Sequence, residues 1–154
     1  MPGSMTVYAL LEDGKVYKQT MPDRRVRLAA NPFGKGAMRG AYYLKDVKTD
    51  EIFVAKRMLD IKDTSEASYE ADILTQIYAR FLAYRFNKQR AVQKMLDFAP
   101  GCIIRIGSMR TMYFMEPLLR GEFVKYGSHV VGAGNRHYWG VDHVSHTTCM
   151  QVFN

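Results

Sequence analysis

A chain of 154 residues has room for one domain with a real core and is too short for two of ordinary size. With 47% hydrophobic and 24% charged residues, a disordered chain is excluded, and no apolar run approaches the ~18 residues that would span a membrane. The net charge of +7 favours anionic partners such as nucleotide phosphates, nucleic acid or an acidic protein surface.

In chain order, residues 1–4 (Met1-Pro2-Gly3-Ser4), ahead of a second methionine at Met5, read as a tag remnant and are set apart from the fold. No hydrophobic signal segment stands at the N-terminus, so secretion is not expected. Residues 6–18 are strand-like, with Asp13-Gly14 as a two-residue hairpin signal at their centre. Residues 26–30 read as a further short strand, broken at Asn31-Pro32. Arg24, Arg25 and Arg27 form the one tight basic cluster, read as a solvated face. Residues 37–47 and 51–58 form a second hairpin closed around Lys48-Thr49-Asp50.

One convincing helix follows, over residues 64–87. Asp63 and Glu66 have capping-box spacing, and Ile73, Leu74, Ile77, Tyr78, Phe81 and Leu82 recur on one face. A shorter apolar segment, residues 92–98, stops at Pro100-Gly101. Cys102 to Ile106 and Met112 to Met115 read as two paired strands around Gly107-Ser108. Beyond Gly127 the chain turns glycine- and histidine-rich. Cys102 and Cys149 lie far apart without CxxC spacing, so no disulfide framework is expected and a reducing cytoplasm fits. Strands, a long helix and more strands define an α+β fold, a mostly antiparallel sheet with the helix packed on it, as in a kinase small lobe.

Phe33-Gly34-Lys35-Gly36-Ala37-Met38-Arg39 and, one strand later, Phe53-Val54-Ala55-Lys56-Arg57 carry the chemistry. A strand–turn–strand with small residues at its tip can lie over a triphosphate, its N–H groups facing the anion. A lysine on the next strand reaches the phosphates as a point charge. Either half alone has a plainer reading, as turn glycine or as a surface lysine on an alternating strand. Together, in this order, they favour nucleotide binding.

A third segment, Met112-Tyr113-Phe114-Met115-Glu116-Pro117 followed by Gly121-Glu122-Phe123-Val124-Lys125-Tyr126, completes a pattern. The three segments resemble the atypical alpha-kinase family, with its Phe-x-x-Gly-x-x-Arg turn, Val-Ala-Lys strand and Glu-Pro … Gly-x-Phe-x-Lys-Tyr hinge. Tyr84-Arg85-Phe86-Asn87 is similar to the Phe/Tyr-Asn closing that family's long helix. The resemblance implies a nucleotide-binding small lobe over residues 5–118 and a hinge with the opening of the large lobe over residues 119–154. It implies that Gly34, Gly36 and Arg39 sit over the phosphates, with Lys56 on the α/β-phosphates. Glu116 and the backbone near Met115 and Leu118 would face the adenine, with Phe33 or Met115 packed on the base. A helix carboxylate, Glu70 or Asp72, would orient Lys56. The spacing does not choose between these two.

The resemblance also implies ATP with Mg²⁺ as cofactors, and Zn²⁺ in the complete family domain. His146, in Asp142-His143-Val144-Ser145-His146-Thr147, matches the first zinc-ligating histidine. The family's other zinc ligands, its catalytic aspartate and its metal-binding aspartate are expected beyond residue 154, so no catalytic residue is assigned within the chain. His129, His137 and His143 have no metal-ligand spacing and read as loop histidines. The implied function is the ATP-binding portion of a serine/threonine protein kinase acting on a protein hydroxyl, inactive as this piece, cytoplasmic, and without membrane or nucleic-acid partners. The alternatives are a non-catalytic, pseudokinase-like interaction module and a small basic nucleic-acid-binding β-domain. The latter requires aromatic and basic residues to share one exposed face, whereas Tyr78, Phe81 and Phe114 read as core.

Overall fold

The N-terminal hairpin is built from β1 (Pro2–Leu10) and β2 (Val16–Leu28), joined through Gly14 at φ 81°. The structure is a computed structural model describing residues 1–11, 14–60, 65–89 and 95–121, with the backbone of residues 150–152. Residues 2–4, set apart in the sequence reading, are strand. Pro2 and Gly3 pair with Arg25 and Arg24, and Ser4 pairs with Arg105 across the other edge.

The expected break before residue 26 is a bulge inside one 13-residue strand. Gly3 and Met5 of β1 face Arg24 and Met21, so β2 holds one extra residue there, and Asp23 takes φ 62° beside Pro22. A bulge bends a strand and tolerates the missing N–H of a proline. The bend lets the first part of β2 follow β1 while Val26–Leu28 cross to pair with another strand.

That strand is β4 (Arg39–Asp46), preceded by the two-residue β3 (Gly34–Lys35) and followed by β5 (Ile52–Met58). The hairpin between β4 and β5 closes where expected, with the Asp46 carboxylate accepting from the N–H groups of Lys48 and Thr49. After the helix α1 (Glu66–Lys88) come β6 (Leu96–Phe98), β7 (Cys102–Ile106), β8 (Thr111–Pro117) and β9 (Met150–Val152), which pairs with β6. The main sheet is antiparallel in the order β2-β1-β7-β8-β5-β4-β3. Leu28, Arg27 and Val26 also pair with Leu44, Lys45 and Asp46, so six strands close into a barrel, and β3 pairs with the first part of β4 along the same edge that β2 takes further on. The α+β expectation holds. The main sheet has seven strands.

Closure gives each central strand two buried faces. Met5, Val26, Leu44, Ala55, Cys102, Ile104, Tyr113 and Met115 fill the barrel. Met58, Ile103 and Phe114 point outward against Tyr69 and Ile73 of α1. Ile103-Ile104 and Phe114-Met115 therefore show no polar alternation, because both neighbours in each pair are buried.

The helix starts at Ser65, whose hydroxyl accepts from the Ser68 N–H at 3.2 Å. This corrects Asp63 as the capping residue; Asp63 itself lies outside the described residues. Of the predicted apolar face only Ile73 is fully buried; the other buried residues of the helix are Tyr69, Gln76 and Ala83. Tyr78, Phe81 and Leu82 are exposed, contrary to the core reading of Tyr78 and Phe81. Periodicity defines a face but not how much of its length the sheet covers. In the last turn Asn87 ties the helix to β6: its Nδ2 donates to the Leu96 carbonyl and its Oδ1 accepts from the Leu96 N–H.

Candidate functional site

Residues paired across antiparallel strands project to the same face. The register places Arg39 opposite Met58, Ala41 opposite Lys56, Lys56 opposite Phe114 and Val54 opposite Glu116. The outer face thus carries Arg39 and Tyr43 from β4, Val54 and Lys56 from β5, and Phe114 and Glu116 from β8. Beside them the β3–β4 turn closes tightly, the Gly36 N–H donating to the Arg39 carbonyl at 2.9 Å.

Two ion pairs occupy this face. Lys56 Nζ lies 2.6 Å from Glu116 Oε1, with only 19% and 14% of the side chains exposed. Arg39 Nη2 pairs with Asp72 Oδ2 of α1, its Nε donates to Met58 Sδ at 3.3 Å, and its guanidinium lies 5.9 Å from the Phe114 ring centre. Burial pushes the Asp72 carboxyl up from its ordinary value, against the pull of Arg39. Tyr69, fully buried, accepts from the Met58 N–H at 3.2 Å and so ties the end of β5 to the helix.

The expectation that Glu70 or Asp72 orients Lys56 is overturned. Glu70 accepts from the Tyr8 hydroxyl at 2.8 Å and from Lys18 at 2.5 Å, while Asp72 holds Arg39. Residues two apart on a helix point in different directions, and neither direction leads to Lys56. Its carboxylate comes from the neighbouring strand, where the register sets Glu116 diagonally across from it.

Gly34, Gly36, Arg39, Lys56 and Glu116 are thus brought together. Gly34 and Gly36 have no positive φ among the described residues. A Cβ at Gly34 would meet nothing within 4 Å, and one at Gly36 only the Arg39 carbonyl at 3.9 Å. The Met115 side chain points the other way, into the barrel core, leaving only its backbone at this level. Phe33 stacks on Tyr43, ring centres 4.1 Å apart. Leu118 is half-buried beside Tyr43, Lys45 and Ile52. His146 lies outside the described residues, as do Cys149 and residues 122–126 of the hinge segment. Among the described residues no three of His, Cys, Asp and Glu gather around a shared metal position, so these residues supply no ligand set for Mg²⁺ or Zn²⁺. Sequence reasoning missed Tyr43 and the Arg39–Asp72 pair. Period-two counting back from Tyr43 through Ala41 to Arg39 would have found the first.

The chain belongs to the alpha-kinase family, whose sequence profile matches residues 34–153. It is 28% identical over 114 residues to eukaryotic elongation factor 2 kinase of Rattus norvegicus, covering 67% of this chain and 15% of that protein. It is 27% identical over 121 residues to alpha-protein kinase 1 of Dictyostelium discoideum, covering 75% of this chain and 9% of that one. Among solved structures, the alpha-kinase domain of myosin heavy chain kinase A in complex with AMP matches with TM-score 0.68 and 19% identity, over 82% of this chain and 66% of that one. The inactive alpha-kinase domain of myosin-II heavy chain kinase A complexed with ATP gives 0.66 and 18%, over 82% and 65%. The chain therefore spans a small part of the whole kinases and just under two thirds of the solved domains, with which it shares the fold.

Proposed function

We propose that this chain is the ATP-binding portion of an alpha-type serine/threonine protein kinase, and that ATP lies on the outer face with its phosphates between the β3–β4 turn and Lys56. One observation carries the reading: two half-buried cations, Arg39 and Lys56, stand on one sheet face beside a glycine turn, each steadied by a carboxylate. Lysine has three donors, so Lys56 can keep Glu116 and still reach a phosphate oxygen. Arginine has five in a rigid fork, and Asp72 with Met58 fixes its orientation while leaving N–H groups for a forked phosphate contact. Asp72 is thus a positioning residue. The uncrowded backbone at Gly34 and Gly36 supports close approach of an anion. Val54 and Glu116 flank the place where the base would rest, near Leu118.

In the complete enzyme the γ-phosphate would pass to a protein Ser or Thr hydroxyl. Orienting that hydroxyl takes a further group, and Glu116 and Asp72 are both committed to cations. The chain alone is therefore expected to bind ATP weakly and not to turn over. Calorimetric titration of the full chain with ATP should show saturable binding that falls by about tenfold or more in Lys56→Met. Equal affinity in parent and variant would remove the assignment. Phosphate transfer from radiolabelled ATP, lost in the variant, would overturn inactivity but not binding.

A further inference from the structure

The side chains inside the barrel pack it unevenly. At one end Ile106 and Tyr113 close the interior, with Tyr42 set edge-on to Tyr113, ring centres 6.1 Å apart. Towards the other end a cavity of about 340 Å³ remains, with the exposed residues Thr49 and Glu51 at its rim. Its walls include Met5, Val7, Leu44, Phe53 and Met115. Small-molecule sites are commonly of this size, about 300–1,000 Å³, mostly apolar and set in barrel mouths.

The sheet itself separates this cavity from the nucleotide face. Phe53 and Met115 turn into the barrel, whereas Val54, Lys56 and Phe114 are one residue out of step and stand outside. Arg39, Tyr43, Lys56 and Leu118 take no part in the lining. Glu116 lies at the cavity edge, but its carboxylate is turned to Lys56 on the outer face.

One polar group is built into the wall. Asp46, only 3% exposed, accepts from the N–H groups of Lys48 and Thr49 and from Arg24 Nη1 at 2.6 Å. The carboxylate is thereby satisfied and holds the Arg24 guanidinium at the cavity. An arginine has five N–H donors, and among the described residues the Arg24 side chain makes this one hydrogen bond. Charge then selects the ligand. Asp46 already neutralises Arg24, and Glu51 adds a negative rim, so an anion is not favoured. A cation would face Arg24 and could not accept from it. Burial pushes the Cys102 thiol up to about 12, so it adds no charge to the wall.

We propose that the barrel cavity binds a small neutral apolar molecule bearing one carbonyl-type acceptor, with its body between Met5, Leu44, Phe53 and Met115 and its acceptor on Arg24. The proposal does not rest on ATP binding, because the two sites lie on opposite faces of the sheet.

The test is fluorescence titration of the full chain with a neutral, solvatochromic dialkylamino-naphthyl ketone. Saturable binding with blue-shifted emission is expected, undisturbed by saturating ATP. In methionine-methyl NMR the ketone should shift Met5 and Met115 and leave Met58, which packs on the outer face. As competitors, naphthalene lacks the acceptor and should bind about fivefold or more weakly than the ketone. Naphthoate should be weaker still, since its charge meets Asp46 and Glu51 and must be desolvated. Val7→Trp places a large ring in the cavity and should abolish ketone binding while Tm holds or rises. If that variant fails to fold, the NMR shifts of the parent decide the question. Absence of saturable binding, displacement by ATP, shifts at Met58 in place of Met5 and Met115, or a competitor as tight as the ketone overturns the proposal.

Discussion

The inside and the outside of the barrel are made by the same strands, one residue out of step, and they do opposite things. Ala55 and Met115 are buried in the interior; their neighbours Lys56 and Glu116 form an ion pair outside. The interior is apolar, with the Arg24–Asp46 pair at its margin. The outer face packs Met58, Ile103 and Phe114 against α1 and holds paired charges beside them. Strand alternation thus lets one sheet keep its stability on one side and its chemistry on the other. Two half-buried cations would weaken a core, but here they cost the interior nothing.

The comparison can be broken from the inside. Ile104→Ala empties part of the barrel and is expected to cost about 2–5 kcal/mol in urea unfolding, while ATP affinity of the folded protein stays unchanged. A tenfold loss of affinity would mean that the two faces are coupled.

A smaller effect comes from Gly101, at the border between the faces. A Cβ there would run into the Gln76 side chain and the Phe114 ring. Gly101→Ala should cost about 1–3 kcal/mol by overpacking and, by moving the ring under Arg39, should also weaken ATP binding. Loss of stability with unaltered binding would show that Phe114 does not position Arg39.

Smaller still is the acid response. Glu66 is held below the ordinary carboxylate range by Arg105 and Lys18, and Glu70 by Lys18 and the Tyr8 hydroxyl. Their depressed values contribute stability that is present above the unfolded value, about pH 4.3, and lost as pH falls through the folded ones. Asp72 has the opposite sign: burial raises its value, so the folded state keeps its proton to higher pH and gains relative stability as pH falls through it. Glu70→Gln should flatten the acid loss of stability, and Asp72→Asn should steepen it. Equal slopes in the two variants would contradict this division.

Both hairpins were legible because their turns carry their own chemistry, in Gly14 and in Lys48-Thr49-Asp50. Barrel closure was not, since it depends on the β2 bulge at Pro22-Asp23, which reads locally as a break. Lys56 stood out as a charge in an apolar strand, yet its partner Glu116 depends on a cross-strand register between distant segments, which local pattern does not report. The outer half of α1 misled for a related reason. Tyr78 and Phe81 keep the period of a buried face past the point where the sheet ends.

The central claim is that the outer face binds nucleotide through Lys56. The most direct measurement is the thermal shift produced by saturating ATP on the full chain and on Lys56→Met, since a ligand that binds only the folded state raises Tm by mass action. The account predicts a clear rise for the parent and almost none for the variant. An equal rise in both would contradict it.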